Sequence, residues 1–323
     1  MSLTYDRHTT AEQVCKEFAP QIKGRTILVT GPSLSSLGFI TAAAMAAHEP
    51  GLFILIGRNA TRLHEAEEAL HKINSELEIK IVQCDMSVMS ETKKAAEEIL
   101  SWNVNIDILV ANAGVMLVPE TITPEGFELT LATNYLSHFL LATLLMPRIL
   151  NSTSKRIVWV SSGAHKITDL RWDDPNFKAE GSYDRLLSYG QSKTAMVLIA
   201  RQLAKRYGSQ GLQSYSLCPG PNPTALLDHL PLETRVEFGN RFGGLYFENG
   251  DINYDSPIWK KPEEGAAVIC RAALDPSLEP NGAFLEDSLI AEESCASWGK
   301  DPASVEKIWE WTYNVLGEPV PSA

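Results

Sequence analysis

A tyrosine and a lysine stand four residues apart in the segment Tyr189-Gly-Gln-Ser-Lys193. Side chains at positions i and i+4 of a helix lie on one face, so the phenol and the ammonium group should point the same way. A free tyrosine has a pKa of about 10, which is too high for efficient proton transfer near neutral pH. A neighbouring ammonium stabilises the phenolate and lowers that pKa. The pair therefore predicts an acid–base unit, although such pairs also occur on ordinary helix surfaces.

A phosphate-binding loop is predicted at residues 30–38, where the sequence TGPSLSSLG follows an apolar run and opens a helix. Backbone N–H groups at a helix N-terminus attract anions such as the phosphates of a nucleotide. Gly31 permits a tight turn, and Gly38 allows the helix to pack closely on the strand. The alternative is a connection of small residues that binds no ligand.

Polar residues also follow the next three predicted strands. Arg58 comes after the second strand, at a position where an acidic residue binds the ribose of NAD and an arginine accommodates the 2′-phosphate of NADP. A cation without a carboxylate favours NADP(H), unless Arg58 is simply a surface residue. Asp85 and the segment 112–114 follow the third and fourth strands, and Ser161 and Ser162 end the fifth. One of these serine hydroxyls could orient a substrate oxygen.

Apolar runs and helical patterns alternate along the chain with short connections, which is typical of a doubly wound α/β fold with a parallel sheet of the Rossmann type. Nothing marks a second domain, so residues 1–323 are expected to form one, preceded by a leader helix within 1–23. The predicted strands span 25–31, 52–57, 79–85, 106–114, 156–162, 212–220 and 283–286. The predicted helices span 38–48, 60–74, 91–100, 134–150, 189–207, 263–274 and 302–316.

Two inserts, 165–188 and 221–258, interrupt this alternation. Both follow the carboxyl ends of strands, where open α/β sheets bind ligands, and we expect both to form walls of a substrate site. Their aromatic residues favour a medium-sized or large, partly apolar carbonyl compound. These residues are Trp172, Phe177, Phe238, Phe242, Tyr246 and Phe247.

Composition narrows the class of protein. The 323 residues carry a formal net charge of −12 and show no basic cluster, which argues against nucleic-acid binding. The five cysteines are widely spaced, without a CxxC pair, which favours a reducing compartment and gives no metal-binding signature. The polar N-terminus lacks a signal sequence, and the apolar stretch 135–147 is shorter than a membrane span, so a cytoplasmic location is expected. The helix at 134–150 is either core or part of a homodimer face.

In their order along the chain, these motifs resemble those of the short-chain dehydrogenase/reductase family over residues 24–290. The chain looks most like the group of retinol dehydrogenases and WW-domain oxidoreductases, especially its fungal members. The segments that carry this likeness are GRN, NAGVM, TNYLSHFLL, IVWVSSGAH, DLRWDDPNF, YGQSK and CPGPNPT.

The resemblance implies a catalytic tetrad of Asn134, Ser162, Tyr189 and Lys193. Tyr189 would give a proton to a carbonyl oxygen or take one from an alcohol, and Ser162, the second serine of its pair, would orient that oxygen. Lys193 would lower the tyrosine pKa and hold the nicotinamide ribose, while Asn134 would position a water that links Lys193 to solvent. The implied NADP(H)-binding residues are Gly31, Ser33, Ser35, Ser36, Leu37, Gly38, Arg58, Asn59, Asp85, Met86, Asn112, Ala113, Gly114, Tyr189, Lys193, Pro219, Gly220 and Thr224. Asp85 and Met86 would bracket the adenine.

The chain departs from the family pattern in its glycine loop, which is one residue longer than usual and carries Ser35-Ser36 where fungal relatives have two glycines. Serine tolerates positive φ poorly, so strain is expected there, offset if a hydroxyl binds a phosphate. We therefore expect an oxidoreductase that transfers a hydride between NADPH and a carbonyl or secondary alcohol substrate, in fungal secondary metabolism. The alternatives are an isomerase, cyclase or dehydratase of the same fold, and an NADP(H)-sensing interaction protein. If the protein is the oxidoreductase rather than the interaction protein, Tyr189→Phe should abolish turnover while leaving cofactor binding largely intact.

Overall fold

The chain folds around one eight-stranded sheet with the strand order β3-β2-β1-β4-β5-β6-β7-β8. The computed structural model describes residues 4–241, 245–247, 249, 251–253 and 255–320. Strands β1 to β7 are parallel, and β8 pairs antiparallel with β7 at the edge. The strands are β1 (Thr26–Thr30), β2 (Leu52–Gly57), β3 (Ile79–Gln83), β4 (Ile108–Ala111), β5 (Arg156–Val160), β6 (Gln213–Cys218), β7 (Phe284–Glu286) and β8 (Leu289–Ile290). The predicted Rossmann-type fold is confirmed.

Helices cover both faces of the sheet. One apolar core lies against α5, α7, α8 and α11, and the other against α1, α3, α4 and α10. The helices are α1 (Ala11–Glu17), α2 (Ala19–Ile22), α3 (Leu37–Ala46), α4 (Ala60–Ile73), α5 (Met89–Ser101), α6 (Leu129–Leu131), α7 (Ser137–Leu150), α8 (Arg185–Tyr207), α9 (Leu232–Arg241), α10 (Pro262–Leu274) and α11 (Pro302–Leu316). Because β1 pairs with both β2 and β4, the strand order reverses beside β1, and the crevice at this point is where doubly wound sheets bind ligands.

The helix predicted at 134–150 is longer than expected. It runs from α6 through a π-helical turn, Ala132–Leu136, into α7. By length and composition, the stretch Leu129–Leu150 could cross a membrane, but 83% of its apolar window is buried inside the protein, as in a core helix. The ring of Phe139 packs edge-on against Trp309 and Tyr313 of α11, so this face of α7 is covered by the same chain.

Candidate active site

Tyr189 and Lys193 lie side by side on α8, at the carboxyl edge of the sheet. The carboxylate of Asp184 caps the helix by accepting bonds from the N–H groups of Leu186 and Leu187, both at 2.8 Å. This cap starts the helix four residues before Tyr189, earlier than the sequence predicted. The Nζ atom of Lys193 is 5.6 Å from the centre of the tyrosine ring, as the i, i+4 spacing predicts.

Ser162 rather than Ser161 faces the tyrosine. The Ser161 hydroxyl points to the other side of the chain and donates to the carbonyl oxygen of Lys193 at 2.8 Å. Ser162 follows the end of β5 in extended backbone, and its hydroxyl hydrogen-bonds the phenol of Tyr189. The alternation of side chains along a strand therefore selects the serine that the family pattern implies.

The pKa values of the pair are governed by burial. Desolvation raises the pKa of Tyr189 to about 12, and the hydrogen bond from Ser162 only partly opposes this. Desolvation lowers the pKa of Lys193 to about 7. The expected lowering of the tyrosine pKa is thus outweighed by the loss of water around both groups. At neutral pH the phenol carries its proton and can donate it to an oxygen placed between Tyr189 and Ser162.

Asn134 lies in the π-helical turn and is fully buried. Its Oδ1 accepts from the N–H of Val115 at 2.8 Å, and its Nδ2 donates to the Val115 carbonyl and to the Ser192 hydroxyl, both at 3.0 Å. Lys193 instead donates to the carbonyl oxygen of Val160 at 2.7 Å. Asn134 therefore fixes the segment after β4 against the turn of α8 that carries the acid–base pair, and the predicted water-holding role remains a prediction.

The loop after β1 has the close backbone packing that a dinucleotide site requires. Gly31 has φ +67, and a Cβ atom there would meet Ala113 Cα at 2.9 Å. A Cβ atom on Gly38 would lie 2.5 Å from Asn112 Nδ2, which itself donates to the Thr30 carbonyl at 2.9 Å. The two glycines let the start of α3 approach the end of β4, so its free N–H groups face the carboxyl edge of the sheet.

The predicted strain at Ser35-Ser36 is wrong. Neither serine has a positive φ, and Ser36 adopts the extended backbone of a helix N-cap, with φ −97. Its hydroxyl donates to the Gly31 carbonyl at 2.8 Å and accepts from the N–H of Phe39 at 3.1 Å. Ser36 thereby closes the loop on itself, which explains how the longer loop dispenses with glycine here. Ser33 supports the same turn through its carbonyl oxygen, and Ser35 is exposed.

Arg58 has a largely exposed side chain, and its NH1 is 3.9 Å from Asp85 Oδ2. Asn59 caps α4 by accepting from the N–H of Arg62 at 3.1 Å. The cation is therefore free to meet an anionic group at the end of β2. The Met86 side chain is buried in the core, and its predicted place beside the adenine remains a prediction.

Near the glycine loop, Leu37 packs partly on the core below α3. Gly114, after β4, leaves room for the side chain of Lys193. A Cβ atom on Gly114 would be 3.1 Å from Asn134 Oδ1 and 3.8 Å from Lys193 Nζ. On the other half, Gly220 follows Pro219 with φ +76 and packs against the buried stem of Lys260. The segment after it is tied by Asn222, whose Nδ2 donates to the carbonyls of Pro219 and Gly220, and the N–H of Thr224 donates to the Asn222 carbonyl.

An apolar cluster covers Tyr189. Met116, Leu117 and Leu230 are buried together with Tyr189. The partly buried residues around them are Ala164, Leu186, Leu227 and Phe238. Sequence reasoning missed Met116, Leu117, Leu227 and Leu230, although the apolar residues directly after Asn112-Ala113-Gly114 were a usable signal for the first two.

The two inserts pack against different parts of the protein, and their predicted role as walls of a substrate site remains a prediction. In 165–188, Trp172 packs edge-on against Trp311 of α11 at 5.5 Å between ring centres, and Phe177 is buried against Tyr183. His165 is also buried, with Nε2 accepting from the N–H of Ala296 at 3.1 Å, so it supports the fold. In 221–258, Phe238 reaches the cluster over Tyr189, whereas Tyr246 packs on Trp259 and Phe247 is exposed. Phe242 lies outside the described residues.

Neither a disulfide nor a group of three metal-binding side chains is present in the part of the chain that the structure describes, where all five cysteines are free and buried. The site thus consists of an acid–base pair, a hydroxyl, an apolar cover and a glycine loop.

Comparison with known proteins agrees with this arrangement. The short chain dehydrogenase family model matches residues 25–173. A probable oxidoreductase of Streptomyces lividans is 35% identical over 306 residues, covering 91% of this chain and 98% of the relative. The short-chain dehydrogenase/reductase prx1 of Penicillium roqueforti is 31% identical, covering 96% and 91%. Human retinol dehydrogenase 12 is 29% identical, covering 92% and 88%.

Solved structures share the fold at lower identity. A crystal structure of an uncharacterized protein from Mycobacterium paratuberculosis has a TM-score of 0.67 at 23% identity, covering 94% of this chain and 98% of that chain. The Pseudomonas aeruginosa RhlG/NADP active-site complex has a TM-score of 0.60 at 21% identity, covering 82% and 94%.

Proposed function

Because this chain belongs to the short-chain dehydrogenase/reductase family, we propose that it is an NADP(H)-dependent oxidoreductase acting on an apolar carbonyl compound or the corresponding secondary alcohol. The observation that carries the proposal is the buried group of Tyr189, Lys193 and Ser162 beneath an apolar cover. Relatives in fungi and Streptomyces with oxidoreductase names support the reaction class.

In this proposal the chain's own residues bind the substrate oxygen and transfer one proton to or from it. Ser162 and Tyr189 hold the substrate oxygen by two hydrogen bonds, and in reduction the phenol gives its proton to that oxygen. The Lys193 ammonium, 5.6 Å from the ring, stabilises the negative charge that develops on the phenol. The nicotinamide supplies or accepts the hydride when it is bound. The apolar cover of Met116 and Leu230 excludes water and accepts a hydrophobic substrate body.

The cofactor would lie along the edge from β2 to β6. The N-terminus of α3 and the backbone of the loop from Gly31 to Gly38 suit a pyrophosphate, since the glycines remove side chains where phosphates must approach. Arg58 is the cation proposed to meet the 2′-phosphate of NADP(H), with its exposed guanidinium beside Asp85. Asp85 and the backbone of Met86 would line the adenosine half of the cofactor. Gly114 would line the nicotinamide half.

The first experiment measures cofactor choice by fluorescence titration with NADPH and NADH. The unaltered chain should prefer NADPH, and Arg58→Ala should weaken NADPH binding roughly tenfold to a hundredfold, as for a lost bond to a charged group, with little effect on NADH. Equal loss for both cofactors, or a preference of the unaltered chain for NADH, would contradict the assignment to NADP(H).

The second experiment screens NADPH oxidation against aldehydes, ketones and polycyclic carbonyl compounds. With an accepted substrate, Tyr189→Phe should lower kcat by roughly a hundredfold or more while NADPH binding persists. Tyr183→Phe is the matched control, because Tyr183 is a half-buried neighbour whose hydroxyl donates to the Val118 carbonyl and hydrogen-bonds the hydroxyls of Ser188 and Thr130. Full activity in Tyr189→Phe would disprove the role of the phenol, and product formation without NADPH oxidation would favour the non-redox alternative.

A further inference from the structure

His138 is a fully buried histidine on α7 that the proposed chemistry does not use. Its Nδ1 is 2.9 Å from the carbonyl oxygen of Asn134, one turn earlier in the same helix. Its Nε2 is 2.8 Å from the hydroxyl of Thr30, the last residue of β1, directly before the glycine loop. The ring therefore bridges the cofactor side of the sheet edge and the π-helical turn.

The hydrogen bonds around this ring have one consistent direction. A carbonyl oxygen only accepts, so Nδ1 must carry a hydrogen. Desolvation lowers the pKa of His138 to about 4, which keeps the ring neutral and leaves a lone pair on Nε2. The Thr30 hydroxyl accepts from the N–H groups of Asn112 and Ala113, both at 2.9 Å. The Thr30 hydroxyl has two acceptors within reach of its own hydrogen. His138 Nε2, at 2.8 Å from Oγ1, is nearer than the Val110 carbonyl oxygen at 3.3 Å.

The chain of bonds continues from Asn134 into the catalytic helix. The Asn134 Nδ2 donates to the Ser192 hydroxyl at 3.0 Å, and that hydroxyl donates to the carbonyl oxygen of Tyr189 at 2.7 Å. Each donor in this path has a defined acceptor, so hydrogen bonds link the end of β4 through Thr30, His138 and Asn134 to the turn of α8.

We propose that His138 is a positioning residue that couples the cofactor loop to the turn of α8 bearing Tyr189 and Lys193. It acts through Thr30 and Asn134 and touches neither substrate nor cofactor. An apolar side chain of similar size would fill the same space but leave a buried carbonyl and a buried hydroxyl without their partner. The effect on catalysis rests on the proposed function, whereas the coupling is a property of the fold.

Hydrogen–deuterium exchange tests the coupling without any substrate. His138→Phe should speed exchange at both ends of the path, in peptides covering 110–116 and 188–194, by roughly tenfold to a hundredfold for the affected amides. Phe139→Leu is the matched control, since Phe139 is the next residue and its ring packs in the apolar core, against Tyr135 and the aromatic rings of α11. It should speed exchange in α7 and α11 and leave the two distant peptides unchanged.

Rescue and kinetics complete the test. His138→Gln keeps one donor and one acceptor, and should restore slow exchange at both ends. With an accepted substrate, His138→Phe should lower kcat roughly tenfold and weaken NADPH binding several-fold. Phe139→Leu should change kcat and NADPH binding by less than about twofold when the two variants are compared at the same interval below their melting temperatures. Exchange confined to α7 in His138→Phe, or an equal effect of the two substitutions, would overturn the proposal. Absence of turnover in the unaltered chain would instead disprove the proposed function and leave the exchange result decisive.

Discussion

The two inserts leave the sheet at the same edge but pack against different partners. Insert 165–188 is built into the body of the protein: the indole of Trp311 donates to the Trp172 carbonyl at 2.8 Å, and Leu170 and Phe177 are buried. Insert 221–258 contributes Leu227, Leu230 and Phe238 to the cluster over Tyr189, to which the end of insert 165–188 adds Leu186. Leu226, Leu232 and Phe247 of the second insert are exposed.

The difference teaches that position at a ligand-binding edge does not determine the role of an insert. What decides it is the apolar surface within reach. The first insert meets α11, which offers tryptophan rings over the core, and so becomes scaffold. The second supplies Leu230 and its neighbours to the small apolar cluster around Tyr189, which we propose as the cover of the substrate site.

A matched pair of tryptophans provides the strongest test of this contrast. Trp172→Ala should lower the free energy of unfolding by about 3 kcal/mol, because the ring packs on Trp311 beside the core. Trp259→Ala, at the residue directly after the second insert, should cost about half as much and should raise KM, since Trp259 packs on Tyr246 of that insert. Urea unfolding and steady-state kinetics measure both. Equal losses of stability with unchanged KM would mean that both inserts are scaffold.

The cover itself can be tested at Leu230. Leu230→Ala should raise KM for an apolar substrate about tenfold, as expected for losing roughly two buried methylene groups, with little change in melting temperature. Leu232→Ala is the control, because Leu232 lies two residues further on and is 44% exposed. If Leu230→Ala were strongly destabilised at constant KM, the cover would belong to the core.

Burial by the cover also predicts a pH dependence. Because the pKa of Lys193 is lowered to about 7, its ammonium is lost as the pH rises above that value. The phenol, with its pKa raised to about 12, stays protonated throughout. Hence kcat/KM for reduction, which reports the free enzyme, should be highest below about pH 7 and fall above it. In Leu230→Ala, water reaches the pair and the midpoint should move upward, by less than about one pH unit. An unchanged midpoint would show that other residues cause the desolvation.

The strands were predictable because buried parallel strands are continuous apolar runs. Their predicted ends ran two to three residues too far, at 84–85, 112–114 and 161–162, since these polar residues leave the ladder to form the site. The proximity of Tyr189, Lys193 and Ser162 was predictable because these residues lie on one helix turn and at one strand end.

Features that depend on distant partners were not predictable. In the π-helical turn at Asn134, each backbone hydrogen bond spans five residues instead of the four of an α-helix. The spacing of apolar residues in the sequence does not reveal this difference. The partner of Trp172 lies on α11, far along the chain, and no local pattern indicates it. The upward shift of the Tyr189 pKa is caused by desolvation by residues from several segments, which sequence spacing alone does not reveal.

A pair of aspartates provides the finest test of the contrast. Asp174 tightens the first insert by accepting from the N–H of Lys178 at 2.8 Å and from Arg171 at 3.0 Å, and both contacts lower its pKa. Asp228, in the second insert, is exposed. A lowered pKa stabilises the fold above the unfolded-state pKa, and that contribution is lost as the pH falls through the folded-state pKa. Asp174→Asn should therefore cost a few tenths of a kcal/mol at pH 7, discounted for solvent screening, and nothing in strong acid. Asp228→Asn should be neutral at both pH values. Urea unfolding at each pH therefore distinguishes a carboxylate that fixes its insert by hydrogen bonds from one that is exposed on its insert.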